Sequence, residues 1–398
     1  MENWLKGVRK VSLLGVVGAA AVASANGQSP GQAAPLLKAP LRKELADYLV
    51  ANFQSPEDYV ASKFKDHDLV FLGEAAHGVR QNLLFLHKLI PRLYKAGILN
   101  VGYEMIFSDE QPEVDNLLNA ETYDETKALM LVFHWDPQSG WAYKEYADVL
   151  RAAWTLNHGL PKGAPRFRIV GTDLRPDWSM VRPGDNITSR PTRWKAWAGS
   201  NQIARNVWMN AVMRREFVDK ALKALIYTGA GHTPLYVTRD EREETGLRFS
   251  VAYQISRRLG SRVTSLVILS GANQNPLIAE LIAELMAAVP ANYQALGFDL
   301  KGTPVGALPL PERVAGTIVT AKKTLTLADY MDGIVYLSST PEPVTMSPGF
   351  ITDARVEQAK REGWLPAVPE ITVQWIMQHA ELVMKPVAPA TAPQRSER

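Results

Sequence analysis

The chain has 398 residues, 46% hydrophobic and 21% charged. That is enough apolar mass for a large core, and it excludes disorder, collagen and coiled coil as whole-chain descriptions. There is no cysteine, which excludes disulfides, thiolate metal sites and a cysteine nucleophile, and 44 basic against 41 acidic residues (net +3) is too even to indicate nucleic acid.

Lys6, Arg9 and Lys10 precede an apolar run, Val11 to Ala23, and Ala23-Ser24-Ala25 offers an A-x-A cleavage site. This predicts a secretory signal peptide over 1–25, cleaved after Ala25, and a periplasmic or secreted mature chain. Cleavage removes three basic residues and one acidic, leaving 41 and 40, a net +1. No later stretch approaches a membrane span. Residues 26–44 are expected to form a linker rich in Gly, Ser, Pro, Gln and Ala, and 386–398 a disordered Pro/Ala tail.

Between these lies an α/β pattern. Leu69 to Leu72, closed by Gly73, predicts a buried strand. Leu83 to Ala96 has helical spacing despite Pro91, and Ile98 to Met105 is a second strand, so that the pair forms a parallel unit. Trp141 to Asn157 predicts a helix, Phe167 to Val170 a strand, and Asn201 to Lys223 a long helix leading into a strand at Ala224 to Thr228. A helix at Phe249 to Leu259, a strand at Val263 to Leu269, a helix at Pro276 to Ala288 and a strand at Gly333 to Leu337 follow. The expected architecture is a mainly parallel sheet with helices on both faces, forming a single domain over 45–345, with a helical extension over 346–385. Arg175 to Ser200, rich in Trp, Arg and Pro, interrupts the alternation as an insertion of the kind that forms lids or binding loops.

The chemistry-bearing residues stand at strand ends, where open α/β sheets bind ligands. Gly73-Glu74-Ala75-Ala76-His77-Gly78-Val79-Arg80 follows the first strand. Glu104 closes the second, a costly place for a carboxylate unless it is paired or used. Gly171-Thr172-Asp173 and Gly229-Ala230-Gly231-His232 follow two more. No G-x-S-x-G elbow, H-E-x-x-H helix or P-loop is present. His67, His87, His134, His158 and His379 lack any partner pattern and are expected to be structural or solvated.

The segment Gly73 to Arg80 resembles the G-E-A-T-H-G-x-R signature of the erythromycin esterase-like family. Glu104 fits that family's second-strand carboxylate. Arg205-Asn206-Val207-Trp208-Met209 is similar to its R-D/N-x-x-M helix, and Ala328 to Tyr336 resembles its closing strand. The resemblance covers about residues 45–340. Two features depart from it: the family's H-N-A-H is here Gly229-Ala230-Gly231-His232, and the Glu usual after the Arg is Gln81. The G-x-x-H form is more similar to the related Tiki/TraB metalloproteases and ChaN-type haem-binding proteins.

These residues suggest an exported hydrolase of ester or related acyl bonds on a small-molecule substrate. His77 would be the general base toward water, Glu74 or Glu104 would orient it, and His232 and Arg80 would face the oxyanion. No covalent nucleophile or cofactor is required. Asp173, Arg205, Trp178 and Trp194 are the expected substrate contacts. Two alternatives stand beside this. Glu74, His77, Glu104 and His232 form a donor set for a divalent metal, as the Tiki/TraB likeness implies for a metal-dependent peptidase. The ChaN likeness implies a haem- or metal-binding uptake protein without turnover. Oligomeric state is left open.

Overall fold

A computed structural model of the chain describes residues 36–133, 142–187, 203–240, 245–270, 276–293, 295–337 and 340–384. The expected signal peptide, most of the linker, the tail, His134, Trp194 and the second half of the Trp/Arg insertion lie outside them. No helix of the described residues is long and apolar enough to cross a membrane.

Among the described residues nine strands form: β1 (Leu69–Glu74), β2 (Asn100–Phe107), β3 (Arg168–Asp173), β4 (Ala224–Gly229), β5 (Val237–Arg239), β6 (Leu247–Phe249), β7 (Val263–Leu269), β8 (Leu296–Asp299) and β9 (Gly333–Tyr336). Seven make one sheet in the order β3-β2-β4-β1-β7-β9-β8. All its pairings are parallel except β8 against β9. β5 and β6 form a separate antiparallel pair. The expected α/β architecture is therefore present, and the β8 edge and the β5–β6 pair are additions to it.

Strands covered on both faces read as unbroken apolar runs. Accordingly every residue of β1 and β7 is buried. The pleat sends alternate residues to opposite faces. Val70 and Leu72 join the larger core with Tyr103, Tyr227 and Ile268. Leu69 and Phe71 pack on the other face with Val170 and Ile226. The helix Arg80–Lys95 runs through Pro91 and buries Leu83, Leu86, Leu89, Ile90 and Leu93 on its sheet-facing stripe.

Two boundaries differ from the expected ones, and the C-terminal helices pack onto the sheet's own core. The helix Ala39–Asn52 starts inside the expected linker, and Leu37 is already buried against the second core. The long helix before β4 is an α-helix only over Ile203–Met213, then a π-helical turn over Arg214–Val218. The C-terminal segment carries two helices, Asp353–Arg361 and Val373–Val383, whose Val356 and Ile376 pack into the same core as the sheet.

One topological detail builds the site. β1 and β2, consecutive in sequence, are not neighbours, because β4 lies between them. Glu74 is in register with Gly229, and Tyr103 with Tyr227. Glu74 and Glu104 thus flank the end of β4 from either side.

Candidate active site

The five-residue loop from Glu74 to Gly78 leaves β1 at its carboxyl end. His77 turns back, and its Nδ1 lies 2.6 Å from Glu74 Oε1. Glu74 is fully buried. It also accepts hydrogen bonds from the Tyr227 hydroxyl on β4 at 2.8 Å and from the Tyr146 hydroxyl on the helix Lys144–Gly159 at 3.2 Å. Burial and the Glu74 charge push both phenols well above their ordinary value, so both hydroxyls stay protonated donors. The His77 side chain keeps 24% of its exposure. It is the accessible member of the group.

Burial alone would lower the His77 imidazole. The charge and hydrogen bond of Glu74, with the charge of Glu104, outweigh burial and the opposing Arg205, and hold it above the usual histidine value. On its far side the ring lies against Gly229. A Cβ there would stand 2.9 Å from His77 Nε2 and 3.6 Å from Glu104 Oε2. The missing side chain is what lets His77 and Glu104 face each other.

Glu104 is itself tightly held. Its Oε2 accepts from the Gly229 N–H and the Thr228 hydroxyl, each 2.5 Å away. Its Oε1 accepts from Arg205 Nη2 and lies 3.2 Å from His232 Nε2. Burial would raise this carboxyl, but the Arg205 guanidinium at its Oε1 and the nearby His77 outweigh it and hold Glu104 well below the usual carboxylate range. Arg205 also forks onto Asp173, with Nε 2.6 Å from Oδ1 and Nη2 2.6 Å from Oδ2. A planar guanidinium suits this two-point contact.

His232 sits behind Glu104. Its Nδ1 lies 2.6 Å from Asn206 Oδ1, while the Asn206 amide nitrogen donates to the Phe249 carbonyl at 3.0 Å. The amide oxygen can only accept, so Nδ1 carries the proton. Nε2 then faces Arg205 Nη1 at 3.0 Å as an acceptor. Burial, reinforced by Arg205 and Arg248 against the pull of Glu104, lowers the His232 value and favours this neutral form.

The structure therefore brings Glu74, His77, Glu104, Asp173, Arg205 and His232 together at the carboxyl edge of β1 to β4. It separates others from them. Arg80, expected at the oxyanion, lies 3.2 Å from Glu342 and 3.2 Å from Glu145, the latter without hydrogen-bond alignment, and its side chain is 42% exposed. It is the first residue of its helix, and its guanidinium and backbone N–H both reach Glu342 in the segment after β9. Trp178, expected against substrate, is buried in the larger core and donates its indole N–H to the Trp364 carbonyl at 2.9 Å. Trp194 lies outside the described residues. His67, His87, His158 and His379 each bond a nearby backbone carbonyl away from the site.

The expected metal donor set does not fit a resident ion. Among the described residues no three His, Asp or Glu side chains are arranged to hold a metal. Glu104 spends its oxygens on Arg205, Thr228 and Gly229, and His232 Nε2 faces the same guanidinium. The cation between Glu104 and Asp173 is Arg205 itself.

The sequence does not single out Tyr146, Tyr227 or Thr228, which read only as helix and strand. Asn206 stands in it only as the D/N position of the helix motif that begins at Arg205, without a role.

No family model matches the chain, and no curated protein matches it. Solved structures do. A Bacillus cereus protein is 12% identical, with 77% of this chain and 99% of that one covered at a TM-score of 0.52. A succinoglycan biosynthesis protein is 11% identical, with 78% and 100% covered at 0.53. At this identity they establish a shared fold. A mutant of erythromycin esterase EreC in its open conformation is 11% identical, with 74% and 95% covered at 0.48.

Proposed function

We propose that this chain is an exported hydrolase that cleaves an ester or related acyl bond of a small molecule with water activated by His77. The observation that carries the reading is the Glu74–His77 pair at 2.6 Å, with a part-exposed imidazole facing Glu104 across Gly229. The sequence likeness of Gly73 to Arg80 to the erythromycin esterase-like signature supports the same reaction class.

The steps follow from this geometry. Glu74 is fixed by two phenols and accepts a hydrogen bond from the His77 Nδ1–H, so Nε2 of the neutral ring is the basic nitrogen. Nε2 takes a proton from water as the water oxygen attacks the carbonyl carbon. Glu74 stabilises the imidazolium so formed, as a carboxylate does behind a catalytic histidine. When the tetrahedral intermediate collapses, the leaving alkoxide takes the proton back, and carboxylic acid and alcohol depart. Glu104 adds negative potential beside the imidazolium. Arg205 is the positioning residue that holds Glu104 ionised and in place; Asp173 orients its guanidinium, and Asn206 orients His232 beside it.

The test is an assay of the purified mature protein against short-chain p-nitrophenyl esters, with and without EDTA. Turnover that survives chelation is expected. An absence of turnover, together with a new visible absorption band on adding haemin, would replace the hydrolase with a haem-binding protein.

A further inference from the structure

Tyr146 belongs to a helix outside the loop that carries His77, yet its one hydroxyl touches both ends of that loop. It donates to Glu74 Oε1 at 3.2 Å and accepts from the Gly78 N–H at 2.9 Å. A phenol has one donor hydrogen and spare lone pairs, so both bonds can form together. Glu74 Oε1 is the same oxygen that His77 Nδ1 approaches. Gly78 has φ +76°, a conformation that other residues adopt only with strain, so the turn after His77 needs an anchor as well as a glycine. Tyr146 is held in turn. The Tyr103 hydroxyl on β2 donates to its carbonyl at 3.1 Å, and its side chain is fully enclosed.

We infer that Tyr146 is a positioning residue that closes the Glu74–Gly78 loop into a ring, fixing the His77 imidazole on Glu74 with Nδ1 protonated and Nε2 turned toward Gly229 and Glu104. Asn82 Nδ2 holds the middle of the loop at the Ala76 carbonyl, 3.3 Å away, while Tyr227 reaches the far oxygen of Glu74 on the strand side; Tyr146 is the residue whose hydroxyl bridges Glu74 and Gly78. The charged groups that face His77 are Glu74 from β1, Glu104 from β2 and Arg205 from the helix before β4. Removing the Tyr146 hydroxyl leaves all three in place but takes the acceptor from the Gly78 N–H, whose carbonyl stays held by the Val344 N–H at 2.9 Å, so the effect falls on the geometry of the ring rather than on its set of charges.

The inference rests on the proposed role of His77 as base, but part of its test needs no substrate. In the intact wild-type protein the Gly78 amide is expected to exchange slowly with solvent, and at alkaline pH the ring-nitrogen NMR shifts of His77 are expected to show a single form protonated on Nδ1. In Tyr146→Phe the amide exchanges faster and the His77 signals move toward a mixture of both tautomers. With p-nitrophenyl acetate as probe, kcat falls by about 10- to 100-fold, the cost of a slightly misplaced catalytic group, while KM changes by less than about twofold. Tyr143→Phe is the control. Its buried hydroxyl has no hydrogen-bond partner among the described residues, and it should leave the His77 spectrum and kcat unchanged. If Tyr146→Phe leaves the His77 shifts and kcat at wild-type values, or if the wild-type Gly78 amide exchanges freely, the inference is overturned. Normal His77 and Gly78 spectra with no ester turnover in the wild type would instead remove the hydrolase reading and leave the anchor standing.

Discussion

His77 Nε2 and Glu104 Oε2 share one empty position, the absent side chain of Gly229, at 2.9 and 3.6 Å from where a Cβ would stand. The glycine sits at the end of the strand inserted between those carrying Glu74 and Glu104. A methyl group at that point would displace the imidazole from its pocket. Gly229→Ala is expected to cut ester hydrolysis by about tenfold or more through misplacement of the base, and to cost about 1–3 kcal/mol as overpacking. Steady-state kinetics and urea unfolding of the variant check both.

Arg205 neutralises two buried carboxylates. Removing one partner of a buried ion pair costs about 3–5 kcal/mol, because the charge left behind has no solvent. Arg205→Ala should lose that much stability in urea unfolding. Arg205→Lys should recover little, since an ammonium cannot make the two-point contact with Asp173 and still reach Glu104. Full recovery by lysine would show that only the charge matters.

His77 titrates above the usual histidine value in the folded protein. A raised folded value stabilises the fold below the unfolded value of about 6.5, and that stabilisation is lost as pH rises through the folded value. The stability difference between wild type and His77→Gln should therefore be fully present below about pH 6.5 and shrink as the pH rises above it. Catalysis runs the other way, because the base must be neutral. The acidic limb of kcat/KM should fall at a pH above that of an ordinary imidazole. His232, lowered by burial, should not contribute to this limb.

Arg80 belongs to the sequence signature but not to the pocket. Its contacts are the buried Glu145 and the exposed Glu342, and only the second is a solvent-exposed ion pair of the kind that contributes about 0–1 kcal/mol. Arg80→Ala should retain kcat/KM within about threefold, in keeping with the small effect of surface substitutions. A loss of about a hundredfold, the scale of a removed oxyanion donor, would place Arg80 back beside the reacting atoms.

Much of this arrangement was legible in the chain, for identifiable reasons. Apolar runs such as Leu69 to Leu72 and Val263 to Leu269, buried on both faces, announce central strands. A carboxylate such as Glu104 at the end of one announces use or pairing. Glu74, His77, Asp173 and His232 were found by that rule alone, because parallel strands collect their carboxyl ends on one edge. Strand order was not legible: nothing local says that β4 enters between β1 and β2, since the insertion is decided by long crossovers. The antiparallel β8, only four residues long, and the helix Ala39–Asn52, whose Ala/Pro start resembles linker, carried weak local signals. Trp178 looked like a binding residue because exposed indoles bind ligands, but its burial depends on a segment 186 residues away. Tyr146 was hidden for the same reason. Its value lies in reaching a loop 68 residues distant.

The central claim is that His77 is the base that activates water. Replacing it with alanine and measuring kcat on a p-nitrophenyl ester, with added imidazole, tests this most directly. The account predicts a folded variant slowed by about 10²- to 10⁴-fold, the usual contribution of a positioned general base, and partly restored by free imidazole diffusing into the space beside Glu74 and Gly229. A folded His77→Ala protein that turns over at the wild-type rate would contradict it.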